Sequence, residues 1–130
     1  MDRSLPFFRC DVPGLTSKCD LIVFITNSAP DTGGRAFLVE MKSLNVGGSL
    51  AQMRASELFA KYIVEVARLQ GIAVGAIDYR GVRIRTTRIP AKGTSRAPKP
   101  KFTRQSPGSF HFCDWDISFP LSLTALRDAG

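Results

Sequence analysis

The sequence predicts an α/β protein, built as a small mixed β-sheet with one long helix crossing it. Three observations carry that expectation. Two short apolar runs are joined by a loop dense in turn formers, an amphipathic pattern extends from Leu50 to about Gln70, and a further apolar run follows after a one-residue break. Strands adjacent in sequence pair antiparallel, whereas a strand–helix–strand crossover favours parallel pairing. The 130 residues, 44% of them hydrophobic, fit a single domain over 1–130 with enough core to fold without disulfides or a structural metal.

The elements follow in order. Residues 1–19 contain Pro6, Pro13 and Gly14 and read as irregular or as one short strand. Asp20–Thr26 (DLIVFIT) is the first strand, apolar and β-branched between polar ends. Asn27–Arg35 (NSAPDTGGR) reads as the hairpin loop and Ala36–Lys42 as the second strand. Ser49 is the expected N-cap of the helix, and Gly71 its stop. Leu50, Met53, Leu58, Tyr62, Val66 and Leu69 recur at helical spacing, so one face should pack on the sheet. Ile72–Tyr79 reads as a third strand and Val82–Ile89 as a fourth, joined by a hairpin through Arg80-Gly81. A basic, Pro/Gly-rich loop at about 90–108 reads as extended or disordered. Phe110–Phe119 reads as a last strand, and the tail LSLTALRDAG as a short helix.

Charge is unevenly distributed. The formal net charge is +7. Between Arg80 and Arg104 stand Arg80, Arg83, Arg85, Arg88, Lys92, Arg96, Lys99, Lys101 and Arg104, with no Asp or Glu among them. Outside that window acids slightly outnumber bases. A concentrated basic segment on a near-neutral body suggests a polyanion partner, and nucleic acid is the commonest. No apolar run is long enough to span a membrane, and MDRSLPFFRCD lacks the apolar core of a signal peptide. Cys10, Cys19 and Cys113 show no CxxC spacing, which points to a reducing, cytoplasmic setting. No phosphate-binding GxxxxGK[ST] loop, dinucleotide fingerprint or nucleophile elbow is present.

The stretch AFLVEMKS breaks its own apolar pattern. Glu40 and Lys42, two residues apart on a strand, point to the same face. An antiparallel hairpin also brings the start of the first strand, Asp20, beside them. Two converging carboxylates repel unless a cation lies between them. A hard divalent ion such as Mg²⁺ answers that need, held by one or two carboxylates plus water and substrate phosphate. A lysine beside it can position a water or neutralise charge developing on a phosphate.

Asp20, followed after nineteen residues by Glu40-Met41-Lys42, resembles the D…(D/E)xK core of the PD-(D/E)xK nuclease superfamily. That superfamily includes restriction endonucleases, Holliday junction resolvases and RecB-like nucleases. Gln52, near the helix start, is similar to the glutamine of a QxxxY pattern, although Ser56 stands where the tyrosine would be. The resemblance implies a restriction-endonuclease-like core and Mg²⁺-dependent hydrolysis of phosphodiester bonds in DNA, with Mn²⁺ as a substitute ion. It implies that Asp20, Glu40 and the Met41 backbone carbonyl hold the metal. Lys42 would orient the attacking water and Gln52 would support it. The basic residues from Arg80 to Arg104 would grip the DNA backbone, and a homodimer would be in keeping with so short a chain. Cys19 replaces the family's usual proline, and no acid-bearing helix precedes Asp20. These departures give the alternative expectation, a catalytically inactive nuclease-fold module that binds nucleic acid or another partner.

Overall fold

The structure is a computed structural model. It describes residues 19–27, 29, 32–42, 48–86, 98–104 and 111–129. Within them, strands β1 (Leu21–Thr26) and β2 (Gly34–Lys42) lead into helix α1 (Ser49–Leu69). Strands β3 (Ile77–Arg85) and β4 (His111–Asp116) and the short helix α2 (Leu123–Asp128) complete the order. The sheet is mixed, in the order β1-β2-β3-β4. β1 pairs antiparallel to β2, as a hairpin must. β2 and β3 pair parallel across the α1 crossover, and β4 adds parallel to β3. The α/β class and the β1–β2–α1–β3 order thus match the sequence reading.

The hairpin loop closes tightly. Asn27 N–H donates to Gly33 O at 3.2 Å, and Gly34 N–H donates to Ala76 O at 3.0 Å. Gly33 adopts φ +83°, and a Cβ there would collide with the carbonyl oxygen of Ala76. Glycine is therefore required at this crossing of the loop with the approach to β3.

The core lies on both faces of the sheet. On one face Phe37, Val39, Val82, Cys113 and Trp115 gather with Phe102 and Leu126. On the other, Leu38 packs with Met53 and Ala60 of α1 and with Cys19. Removing a side chain such as Phe37 from water contributes about 2–3 kcal/mol.

Several expectations are corrected. The hairpin through Arg80-Gly81 does not form. A single strand runs through both residues, with Gly81 paired to Leu38 on one side and Phe112 on the other. Arg-Gly has turn chemistry locally, but two parallel neighbours satisfy the backbone of a buried central strand and override it. Residues 72–76 precede that strand and are not part of it.

The packing face of α1 also differs from the expected stripe. Met53, Ser56, Ala60 and Val64 are buried, while Leu50, Leu58, Tyr62, Val66 and Leu69 are exposed. Small Ser56 and Ala60 let the helix approach the sheet closely, which a larger stripe would prevent. The helix is capped by Gly48 in the left-handed conformation rather than by Ser49. Of the expected basic loop, residues 98–104 are described, and they belong to the fold. Thr103 and Phe112 exchange backbone hydrogen bonds at 2.9 and 3.0 Å, and Phe102 is buried against Phe37.

Candidate functional site

The register places the sequence-predicted residues. β1 and β2 pair from Leu21↔Val39, so one further step sets Asp20 opposite Glu40. Asp20 lies just outside the strand and is exposed. Its Oδ2 accepts the Met41 N–H at 2.7 Å. In a strand, a residue's N–H and C=O point to the same edge. The Met41 carbonyl therefore lies on the Asp20 edge of β2, beyond the end of β1.

Ala36, Leu38, Glu40 and Lys42 alternate onto the face covered by α1. Glu40 is only 3% exposed. Its Oε1 lies 2.9 Å from Lys42 Nζ, so the same-face pairing read from the sequence is realised as an ion pair. Its Oε2 is buried and has no hydrogen-bond partner among the described residues. Gln52 Oε1, in the first turns of α1, is also buried without a partner. One turn on, buried Ser56 accepts the Cys19 N–H at 2.6 Å and so ties the residue before Asp20 to the helix. Ser56 thus has a structural task at the position where the family pattern has tyrosine.

Cys19 reports the local field. Burial, foremost, pushes its thiol from an ordinary 9.0 up to about 11, with the charges of Glu40 and Asp20 adding to the rise. Ser56 and Lys42 act in the opposite sense. The thiol is therefore neutral in the folded protein near pH 7.

The parallel register extends this charged region across the sheet. Glu40 pairs with Arg83, and Arg83 with Asp114. Lys42 pairs with Arg85, and Arg85 with Asp116. Paired residues on neighbouring strands share a face. Two charged rows therefore cross the α1 side of the sheet at the carboxyl ends of the parallel strands. Ligands of open α/β sheets bind outside those ends.

The basic residues do not form one surface. Arg80 is 8% exposed and alternates onto the opposite face. It donates to Asp78 Oδ2 at 2.8 Å and to Ala129 O at 3.3 Å, and lies 5.0 Å from the Phe102 ring centroid. Arg83 grips Asp114 with two hydrogen bonds, of 2.6 and 2.9 Å. Arg85 Nε lies 3.5 Å from Asp114 Oδ1 but is buried without a hydrogen-bond partner among the described residues. Lys99, Lys101 and Arg104 are exposed on the segment beside β4. Arg88, Lys92 and Arg96 lie outside the described residues. Sequence reading missed Asp114 as the partner of Arg83 and Ser56 as the tether of Cys19, because neither contact has a local signal.

The donors fit a hard cation in one respect: Glu40 Oε2 and Gln52 Oε1 are two buried oxygens with unmet acceptor capacity. Among the described residues, no group of three or more His, Cys, Asp or Glu converges to hold a metal by itself. A cation at Glu40 would therefore depend on carbonyl oxygen, water or substrate for the rest of its shell, as Mg²⁺ commonly does. No helix among the described residues is long and apolar enough to cross a membrane. Comparison with protein-family models, with curated proteins and with solved structures finds no match.

Proposed function

We propose that this chain is a metal-dependent nuclease that hydrolyses phosphodiester bonds in DNA on a restriction-endonuclease-like core. The observation that carries the reading is the unmet acceptor pair. A buried carboxylate oxygen is costly unless water, a cation or another ligand meets it. Glu40 Oε2 is that oxygen, on the edge of a β1–β2 hairpin whose other strand begins beside Asp20. Asp20, Glu40 and the Met41 carbonyl would hold Mg²⁺, with Mn²⁺ as a substitute. The bound ion would polarise a phosphodiester oxygen and lower the pKa of a water. Lys42, paired with Glu40 at 2.9 Å, would orient that water. Gln52, whose Oε1 is buried in the first turns of α1, would support Lys42. Exposed Lys99, Lys101 and Arg104 supply phosphate contacts outside the site, and a homodimer would present two such sites to one duplex.

A second reading has its own support. Asp20 Oδ2 is already engaged by the Met41 N–H, and Lys42 by Glu40, so part of the charge is satisfied internally. The same fold could then bind nucleic acid without cutting it. Incubation of DNA substrates with Mg²⁺ or Mn²⁺ separates the two. Metal-dependent cleavage that disappears in Glu40→Ala and Lys42→Ala supports the nuclease. Salt-sensitive binding that never leads to cleavage, and that those substitutions leave intact, supports the module.

A further inference from the structure

We infer that Arg85 is the residue that receives the substrate's phosphate, a role separating it from the other basic residues of its strand. Three side-chain atoms among the described residues are buried without a hydrogen-bond partner: Glu40 Oε2, Gln52 Oε1 and Arg85 Nε. Glu40 and Arg85 stand on adjacent parallel strands at the carboxyl end of the α1 face, and Gln52 opens the helix that covers that face. Two of these atoms are acceptors that call for a cation. The third is a donor that calls for an anion. A phosphate carried with a divalent cation has both parts.

The register sharpens the assignment. Lys42 and Arg85 are directly paired on neighbouring strands, so two positive side chains stand side by side on one face. Like charges in that arrangement repel. Lys42 is compensated by Glu40 at 2.9 Å. The nearest described carboxylate oxygen to Arg85 is Asp114 Oδ1 at 3.5 Å, and that oxygen already accepts from Arg83 at 2.6 Å. Asp116, the strand partner on the far side, adds negative charge near Arg85. Even so, Nε is left without an acceptor.

Arg80 and Arg83 differ on each point. Arg80 is buried on the other face with Asp78 and Phe102. Arg83 is held by Asp114 at two positions and lies 5.3 Å from the Phe112 ring centroid. The Arg85 side chain is about one-third exposed although Nε itself is buried, so a ligand meets the guanidinium on its open side. Guanidinium suits this task because its planar fork meets two phosphate oxygens at once.

This inference rests on the nuclease reading for the identity of the phosphate as a phosphodiester, and the test separates the two. The Nε–Hε resonance of Arg85 is followed by NMR while the intact protein is titrated with Mg²⁺, then with inorganic phosphate, then with a short DNA duplex. Expected is a shift of that resonance by the duplex at lower concentration than by inorganic phosphate. Arg85→Gln should weaken duplex affinity roughly tenfold and lower the slope of log K against log salt by about one, with no loss of Mg²⁺ affinity. Arg85→Lys should recover part of the loss. A wild-type protein that binds no Mg²⁺ yet shows the Arg85 shift would overturn the nuclease reading and leave the phosphate site standing. Mg²⁺ binding with an unmoved Arg85 resonance would overturn the phosphate site alone. Because the resonance is read on the wild type, a variant that fails to fold does not rescue the inference.

Discussion

The ammonium of Lys42 stands 2.9 Å from Oε1 of Glu40, a carboxylate only 3% exposed, while Oε2 of the same group has no hydrogen-bond partner among the described residues. One oxygen of the carboxylate is thus paired by the protein, and the other is buried with no protein donor among the described residues. Without Lys42 the buried charge would be uncompensated. Lys42→Ala is therefore expected to lower stability by about 2 kcal/mol, below the usual cost for a fully buried pair because Lys42 is partly exposed. Urea unfolding measures it. Added Mg²⁺ should restore part of the loss, since a ligand bound only by the folded state stabilises it.

Gln52→Leu probes the other unmet oxygen. An apolar side chain of similar size removes a buried acceptor that has no donor among the described residues. Stability without metal is expected to rise by about 1 kcal/mol, and any cleavage activity to fall. Thermal unfolding beside a cleavage assay reads both. Equal activity with higher stability would remove Gln52 from the site.

Ser56→Ala tests the tether behind Asp20. It leaves the Cys19 N–H, now bonded at 2.6 Å, without an acceptor in a buried position. The expected cost is about 1–2 kcal/mol. Amide hydrogen exchange at Cys19 should quicken with it.

Cys19 sets a pH dependence. Its folded thiol titrates near 11 against an ordinary 9.0, because burial and the neighbouring carboxylates oppose the thiolate. The folded state therefore keeps its proton where the unfolded state has lost it. This contribution is fully present below about pH 9 and is lost as pH rises from there through 11. Cys19→Ala should flatten that alkaline decline in a stability–pH profile. Alkylation of the Cys19 peptide, followed by mass spectrometry near pH 8, should be slow in the native protein.

Arg80 and Lys101 should behave oppositely although both belong to one basic run. Arg80→Ala removes a buried hydrogen-bonded cation and is expected to cost about 2 kcal/mol of stability without changing the salt dependence of duplex binding. Lys101→Ala, at an exposed position, should leave stability within about 0.5 kcal/mol and lower the salt slope by about one.

The same contrast shows what was legible in the sequence. LIVFIT, the turn formers of NSAPDTGGR and the Glu40–Lys42 spacing are local signals, and the hairpin, its register end and the ion pair follow from them. Gly71 marked the helix end correctly, with φ +79° just beyond it. The sheet's other half depends on partners distant in sequence. Arg80-Gly81 looks like a turn until Leu38 and Phe112 flank it. The acid-free run from Arg80 to Arg104 looks like one basic arm until Asp78, two residues ahead of Arg80 on the same strand, and Asp114, from β4, pair with its arginines. On α1, Leu58, Tyr62 and Leu69 have the expected spacing, yet Ser56 and Ala60 form the contact because the helix needs small residues to lie close. Size complementarity of that kind is not written in a hydrophobic period.

The central claim is that Glu40 and Asp20 hold a divalent cation. Calorimetric titration of the intact protein with Mg²⁺ and Mn²⁺, with and without a short DNA duplex, tests it most directly when repeated on Asp20→Ala and Glu40→Ala. Wild-type binding is expected to be strengthened by the duplex and abolished by Glu40→Ala, with a marked loss in Asp20→Ala. Absence of metal binding with the duplex present, or binding that both substitutions leave unchanged, would contradict it.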